Sequence, residues 1–344
     1  MNKVFVLLAL VFVLGSCSSI KTIHSIELPR NSNNKIQQDH VDLIINDRVE
    51  KTIDIIPTEE TVRVGDKGGD IFNGSQGESV PRLDEKKIRI GLTLGPGIYR
   101  TVNYVSALKI LERLNLSPEI ISGTGFGAIV AAMYASGMTP EVIEWNFYKY
   151  FKEKKKNKLY DQDWINEIDK SFLLKFKNMN LQDTKKKLFV TLYDHITRKT
   201  YYFDKGNIRD LLLLNLRLSN NASVSKGGQK YSAAFEKEVF NARLLRQLGA
   251  DFTIALDVLG SKFDFENTNE FLIGIYGAIA GHIQKETKDY DYSVTLPLQM
   301  MNLDSTKESA LFMQKSFDFM LKQSPTLLRK IQAKVDSLAN SGNE

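Results

Sequence analysis

Gly123-Thr124-Gly125-Phe126-Gly127 follows the short apolar run Ile120-Ile121 and precedes an apolar helical pattern over residues 128–135. In that setting Gly-x-Ser-x-Gly spacing is the nucleophile elbow. Its flanking glycines let strand and helix approach closely, and its apex residue is held in a strained backbone conformation that presents a hydroxyl to a carbonyl. Here the spacing is kept and the apex is Gly125. The bend is present and the attacking oxygen is missing. Ser122 and Thr124 carry hydroxyls beside it, but neither holds the apex and no base is evident for either. With Ala128 the same residues also fit the Gly-x-Gly-x-x-Ala turn of dinucleotide-binding proteins, which needs an acidic residue ending a second strand about twenty residues on. That place is taken by Glu144, inside a helical pattern, so nucleotide binding is set aside.

The elements that position this turn are legible on either side of it. Residues 88–94 are an apolar strand pattern, followed by the loop Gly95-Pro96-Gly97-Ile98-Tyr99-Arg100. Val102, Val105, Leu108, Ile110, Leu111 and Leu114 then form one face of a helix. Strand, loop, helix, strand, tight turn, helix is a βαβ unit with its turn at the carboxyl end of the second strand, where open α/β sheets place their working groups. Thr139-Pro140 starts another helix, with Thr as N-cap and Pro at the first helical position. Farther on, residues 164–176 read as helix and 188–203 as strand, turn, strand. Residues 208–218 read as a leucine-rich helix, 219–229 as a polar loop and 239–248 as a helix ended by Gly249. Residues 252–258 form a buried strand pattern, 271–283 a packed helix and 292–298 a strand, with two closing helices after 308 broken near Pro325. The alternation specifies an α/β fold with a mostly parallel sheet covered by helices on both faces.

Other chemistry is thinly supplied. His24, His40, His195 and His282 are scattered without metal-ligand spacing, so no metal is expected, and no cofactor either. Asp194 and Asp257 end strands and read as turn-forming or capping residues. The net charge of +5 does not mark a nucleic-acid binder, and none is expected. Basic residues gather in Lys149-Tyr-Phe-Lys-Glu-Lys-Lys-Lys-Asn-Lys158, which reads as a solvated helix end or as a contact with an anionic lipid surface.

The start of the chain resembles a bacterial lipoprotein signal. Lys3 precedes an apolar stretch over residues 4–14 that is too short to span a bilayer. Leu14-Gly15-Ser16-Cys17 has the form of a lipobox. The resemblance implies cleavage before Cys17, acylation of Cys17 and membrane anchoring through chains worth about 0.8 kcal/mol per buried methylene. Ser18 rather than Asp after the cysteine implies the outer membrane of a Gram-negative envelope. Cys17 is the sole cysteine of the 344 residues, so no disulfide forms within the chain. Residues 17–86 are polar, with sparse apolar stretches at 41–45, 52–56 and 61–64, and read as a lipid-anchored tether.

From residue 88 to 258 the sequence resembles the patatin-like phospholipases, whose pattern is a glycine-rich oxyanion loop ending in Arg, a helix, then the Gly-x-Ser-x-Gly elbow. Gly137-Met138-Thr139-Pro140-Glu141, Asp194 with Thr197-Arg198-Lys199, and Leu248-Gly249-Ala250-Asp251 continue it in order. The resemblance implies a three-layer patatin-like domain over residues 87–300 followed by C-terminal helices over 301–344. It also implies a Ser–Asp dyad with backbone N–H groups holding the oxyanion. Carried over residue by residue, Gly95, Gly97 and Arg100 match the oxyanion loop, and Gly123, Gly125 and Gly127 the elbow. Ser232 and Ala233 fall where the acid is expected, about sixteen residues before Gly249-Ala250-Asp251, while Lys226-Gly227-Gly228 has lysine in place of an acid. Pro96 has no N–H to donate, and Ile98 replaces a usual glycine. No catalytic residue is therefore assigned. The expectation is an envelope pseudoenzyme that binds lipid or an envelope protein; the alternative is a lipid acyl hydrolase with a rearranged site.

Overall fold

The computed structural model describes residues 88–224, 228–260, 270–304 and 306–340. The signal peptide, Cys17, the tether, His24, His40, Lys226 and Gly227 lie outside the described residues.

The first unit runs β1 (Ile90–Leu94), α1 (Tyr104–Arg113), β2 (Ile120–Gly123) and α2 (Phe126–Ala135). It is followed by α3 (Pro140–Glu153), α4 (Gln162–Ile168), β3 (Lys187–Asp194), β4 (Lys199–Phe203) and α5 (Ile208–Asn215). The chain continues through β5 (Ser223–Val224), β6 (Lys230–Ala233), α6 (Ala242–Gln247) and β7 (Phe252–Asp257). It closes with α7 (Glu270–Glu286), β8 (Tyr292–Thr295) and α8 (Ser309–Asn340).

The strands form one mixed sheet in the order β5-β6-β3-β2-β1-β7-β8, with β4 paired to β3. Its centre is parallel: β1 pairs with β2 and β7, β2 with β3, and β7 with β8. The β3–β4, β3–β6 and β5–β6 pairs are antiparallel. The chain leaves β1 towards β2 and β3 and later returns to β7 and β8 on the other side. Right-handed crossovers therefore put the outgoing and returning helices on opposite faces, and the reversal falls between β1 and β7. All six residues of β7 are buried, as a strand covered on both faces requires. Every residue of α2 is buried too; it lies on β1, β2 and β3 beneath α3 and α5. Gly91 of β1 gives α6 its seat: a Cβ there would lie 2.8 Å from the Ala250 Cβ and 3.1 Å from the Leu245 Cβ.

Several expectations need correction. The two closing helices are one, α8, with Pro325 inside it. Its buried residues Phe312, Ser316, Met320, Ser324, Leu327, Leu328 and Ile331 continue one stripe through the proline. That stripe packs α8 along α1, and packing overrides the local break. The carbonyl deprived of its partner belongs to Leu321, on the exposed side of the helix. The pattern over 164–176 is not one helix but α4, a π turn (Asp169–Leu173) and a 3-10 turn (Leu174–Phe176). Trp164, Ile168, Phe172 and Phe176 all stay buried, so the aromatic side chains dictate the winding. β6 was not anticipated, because four residues flanked by polar loops carry little periodicity. The helix expected from 239 begins at Ala242, where the Asn241 side chain accepts from the Leu244 N–H.

Pro325→Ala should raise stability, by up to about 3 kcal/mol, since it restores a helical N–H without touching the buried stripe. Urea titration of the two proteins, followed by far-UV circular dichroism, checks this.

Candidate functional site

β2 runs into Gly123 and α2 begins at Phe126, so the chain reverses within two residues. Gly125 supplies the bend, with φ 57° and ψ −136°, a region that L side chains rarely enter. Gly127 allows the close approach: a Cβ there would lie 2.3 Å from the Gly95 carbonyl oxygen and 2.7 Å from that of Leu94. A Cβ at Gly123 would lie 2.6 Å from the Ala128 Cα. The apex is clamped by Asn215 of α5. Its Oδ1 accepts from the Gly125 N–H at 3.2 Å, and its Nδ2 donates to the Gly125 carbonyl at 2.7 Å.

Sequence reasoning missed Asn215, although a signal existed. Ile208, Leu211 and Leu212 lie on the buried face of α5, and the same face ends on a buried asparagine. A polar residue in an apolar stripe needs a partner.

A side chain at Gly125 would enter occupied space. Its Cβ would lie 3.0 Å from Phe235 Cδ1 and 3.1 Å from Pro96 Cβ. Phe235 is fully buried and stacks on Tyr276 of α7, with ring centroids 6.1 Å apart and planes at 15°. The Tyr276 hydroxyl meets that of Tyr160, whose ring is 5.1 Å from Trp164. Phe126, next to the apex, touches Tyr99, Phe147, Trp164 and Phe172. Trp164 Nε1 donates to the Tyr99 hydroxyl at 3.0 Å, and that hydroxyl pairs with Tyr150 at 3.0 Å. Burial raises the Tyr99, Tyr160 and Tyr276 phenols above their ordinary range, so each stays protonated near neutral pH. Aromatic packing fills the space over the bend.

The Gly95–Arg100 loop is similarly committed. The Gly95 N–H donates to the Leu256 carbonyl at 3.1 Å. The Tyr104 hydroxyl is 2.9 Å from the Gly95 carbonyl and 3.0 Å from that of Leu256. Gly97 lies so close to the exit of β7 that a Cβ would be 2.4 Å from Val258 Cγ2. Ile98 is buried at φ 46°. Arg100, 1% exposed, sits where the topology reverses. Its Nε donates to the Met301 carbonyl at 2.6 Å and its Nη1 to the carbonyls of Val258 (3.2 Å) and Leu259 (3.1 Å). The guanidinium joins the loop after β1 to the exit of β7 and to the segment before α8. Near it, Asp257 accepts from the Leu259 and Gly260 N–H groups and from the Thr295 hydroxyl. Burial pushes the Asp257 carboxyl above the ordinary range, against the lowering pull of those donors and of the Arg100 charge.

The remaining sequence candidates do not converge on Gly125. Ser232 and Ala233 end β6, opposite Tyr193 and Leu192 of β3. Ser232 Oγ is 2.9 Å from His195 Nε2, but the serine has no exposed surface through which a substrate could reach it. Asp194 accepts from the Ile196 N–H and the Thr197 hydroxyl and so shapes the β3–β4 turn. Ser122 Oγ pairs with Thr93 Oγ1 at 2.8 Å. Thr124 Oγ1 is buried without a hydrogen-bond partner, and so without a base. Glu144 pairs with Lys109 on the α3 surface. His282 is exposed on the outward face of α7. Among the described residues no group of three His, Cys, Asp or Glu side chains is arranged to hold a metal ion.

The patatin-like phospholipase model matches residues 92–269, from β1 past β7 and across the elbow. This chain belongs to the patatin-like phospholipase family. Among solved structures, this patatin-like chain is similar to VipD from Legionella pneumophila, at 11% identity and a TM-score of 0.36 over 52% of this chain and 51% of that one. It is also similar to ExoU from Pseudomonas aeruginosa, solved with SpcU, at 13% identity and a TM-score of 0.38 over 71% and 53%. The chain thus spans about half the length of these two proteins. No curated protein matches it.

Two outcomes test this geometry. Asn215→Ala leaves the Gly125 N–H buried without a partner, while the Gly125 carbonyl keeps the Ala128 N–H at 3.2 Å, and should lose about 1–3 kcal/mol in urea titration. For Asp257, a raised folded pKa means its contribution is full below the unfolded value and is lost as pH rises through the folded one. The stability difference between Asp257→Asn and the unaltered protein should therefore move in favour of the variant as pH is raised from about 4 towards neutrality. Paired urea midpoints across that interval measure it.

Proposed function

We propose that this member of the patatin-like phospholipases is an envelope lipoprotein that lacks the family's ester hydrolysis and acts by binding lipid or a protein partner at the outer membrane. The observation that carries this reading is Gly125 at the apex of the bend, with Phe235 packed against it. A Ser–acid mechanism needs a hydroxyl there, a carboxylate to take its proton and donors for the oxyanion. Here the apex has no side chain, the acid position holds Ser232 and Ala233, and Pro96 of the loop has no N–H. Losing the nucleophile alone leaves only binding and oxyanion stabilisation, several powers of ten below a working enzyme. The lipobox form of residues 14–17 supports anchoring through acylated Cys17, and Ser18 supports the outer membrane.

One observation favours the alternative of an acyl hydrolase with a rearranged site. Ser219 Oγ donates to Glu236 Oε2 at 2.5 Å, directly after Phe235 in the chain. A serine hydroxyl on a carboxylate is the proton-transfer half of a dyad. The same glutamate also accepts from the Ser219 N–H at 2.8 Å, which is the geometry of a cap on the short turn Ser219–Asn221.

A fluorogenic ester series on the full chain separates the two. The unaltered protein and Gly125→Ser/Ala233→Asp should both show no turnover above buffer, the latter because a Cβ at the apex is already crowded by Phe235 at 3.0 Å and Pro96 at 3.1 Å. Turnover abolished by Thr124→Ala, or by Ser219→Ala and Glu236→Gln alike, would establish the rearranged hydrolase instead. For the anchor, labelled palmitate should enter the unaltered chain in cells and be lost on Cys17→Ala.

A further inference from the structure

The outward face of α3 carries an unusual mixture. Val142, Trp145 and Tyr148 are exposed to 46%, 63% and 56%. Helical spacing sets Lys149 and Lys152 on the same face, and both are exposed. Past the end of α3, Lys155, Lys156 and Lys158 are exposed as well. Among the described residues none of these five lysines is paired with a carboxylate. The acids on or beside this face are Glu141 at the start of α3, Glu153 at its flank, Glu144, whose charge is taken by Lys109, and Glu167, which accepts from the Lys155 N–H and the Asn157 side chain.

The aromatic rings stand at the edge of an apolar hollow. Trp145 and Tyr148 stack with centroids 5.4 Å apart and planes at 24°. Beside them α3 and the start of α8 leave a recess of about 310 Å³, whose lining is mostly apolar (Val102, Trp145, Tyr148, Phe151, Met313) but includes Glu141 and Glu144. An amphipathic ring pair next to a lysine field combines the two features that hold proteins at lipid headgroups. Trp and Tyr settle at the membrane–water interface, and a basic cluster is attracted by anionic lipid within a Debye length.

We propose that this face of α3, with the Lys155–Lys158 segment after it, is a docking surface for an anionic lipid bilayer. The charge complementarity selects lipid over a second copy of the chain, because two such faces would oppose lysine to lysine. The inference needs neither acylation of Cys17 nor the state of Gly125, so it can fail while the reading of the site stands, and the reverse.

The chain's own fluorescence provides the test. It has two tryptophans; Trp164 is 1% exposed and Trp145 faces solvent. The full chain is bound to phosphatidylcholine vesicles with and without phosphatidylglycerol, each prepared with and without brominated acyl chains. Trp145→Phe gives the Trp164 background. On phosphatidylglycerol vesicles the Trp145 emission should shift to the blue and be quenched by bromine, whether or not the chain is also held elsewhere. High salt, or Lys149→Glu/Lys152→Glu/Lys155→Glu/Lys156→Glu, should reduce that quenching severalfold, with Trp164 emission reporting that the variant is folded. If that variant does not fold, the salt dependence of the unaltered protein decides. Absent quenching on vesicles that demonstrably carry the protein overturns the proposal. Equal quenching on neutral vesicles does the same, as does a concentration-dependent blue shift without lipid, which would mean that a second copy covers the face.

Discussion

The structure depends on one close approach: α2 lying against the ends of β1 and β2. Backbone meets backbone there with no room for a methyl group at Gly127 or Gly123. An approach that tight fixes where the intervening residue must bend, and only a positive φ satisfies it. Gly125 meets this requirement without strain, and Asn215 holds both of its peptide groups. The loop after β1 is drawn to β7 by Tyr104 and Arg100, so the carboxyl ends of the central strands are held by the protein's own side chains.

What stands above the bend follows from simple energetics. A working cleft leaves apolar walls facing water and polar groups awaiting a ligand. Here Phe235 and Tyr276 are buried instead, and full burial of one phenylalanine is worth about 1.5–3 kcal/mol. The hydroxyls that aromatic packing brings inside are joined to one another, Tyr160 to Tyr276 and Trp164 to Tyr99 to Tyr150. The region therefore behaves as core, with its hydrogen bonds satisfied internally. Thr124 Oγ1 is an exception, a single buried hydroxyl without a partner.

Much of the fold was legible because its parallel strands are continuous apolar runs and its helices have clear periods. Thr139-Pro140 marked the start of α3, and its cap is present, with the Val142 N–H donating to Thr139 Oγ1. The elbow was legible from three glycines. What escaped was set by tertiary contact. Pro325 signals a break locally, but the stripe against α1 carries α8 through it. β6 is four residues long and is defined by its partner β3 more than by its own pattern. Phe235 could not be placed over Gly125 from spacing, since 110 residues of chain separate them. Arg100 was legible as a loop residue but not as a bridge between three carbonyls, because its acceptors are backbone atoms that no sequence pattern marks.

The ring over Gly125 also has a historical consequence. With a bulky aromatic packed 3.0 Å from where a Cβ on Gly125 would stand, a side chain at the apex requires the ring to move as well. Trimming the phenylalanine first would open a void in the core, and inserting a side chain first would crowd the ring. Each order of steps passes through a less stable protein, so selection acting on one change at a time finds the route barred. The packing works as a ratchet, which holds the apex to glycine.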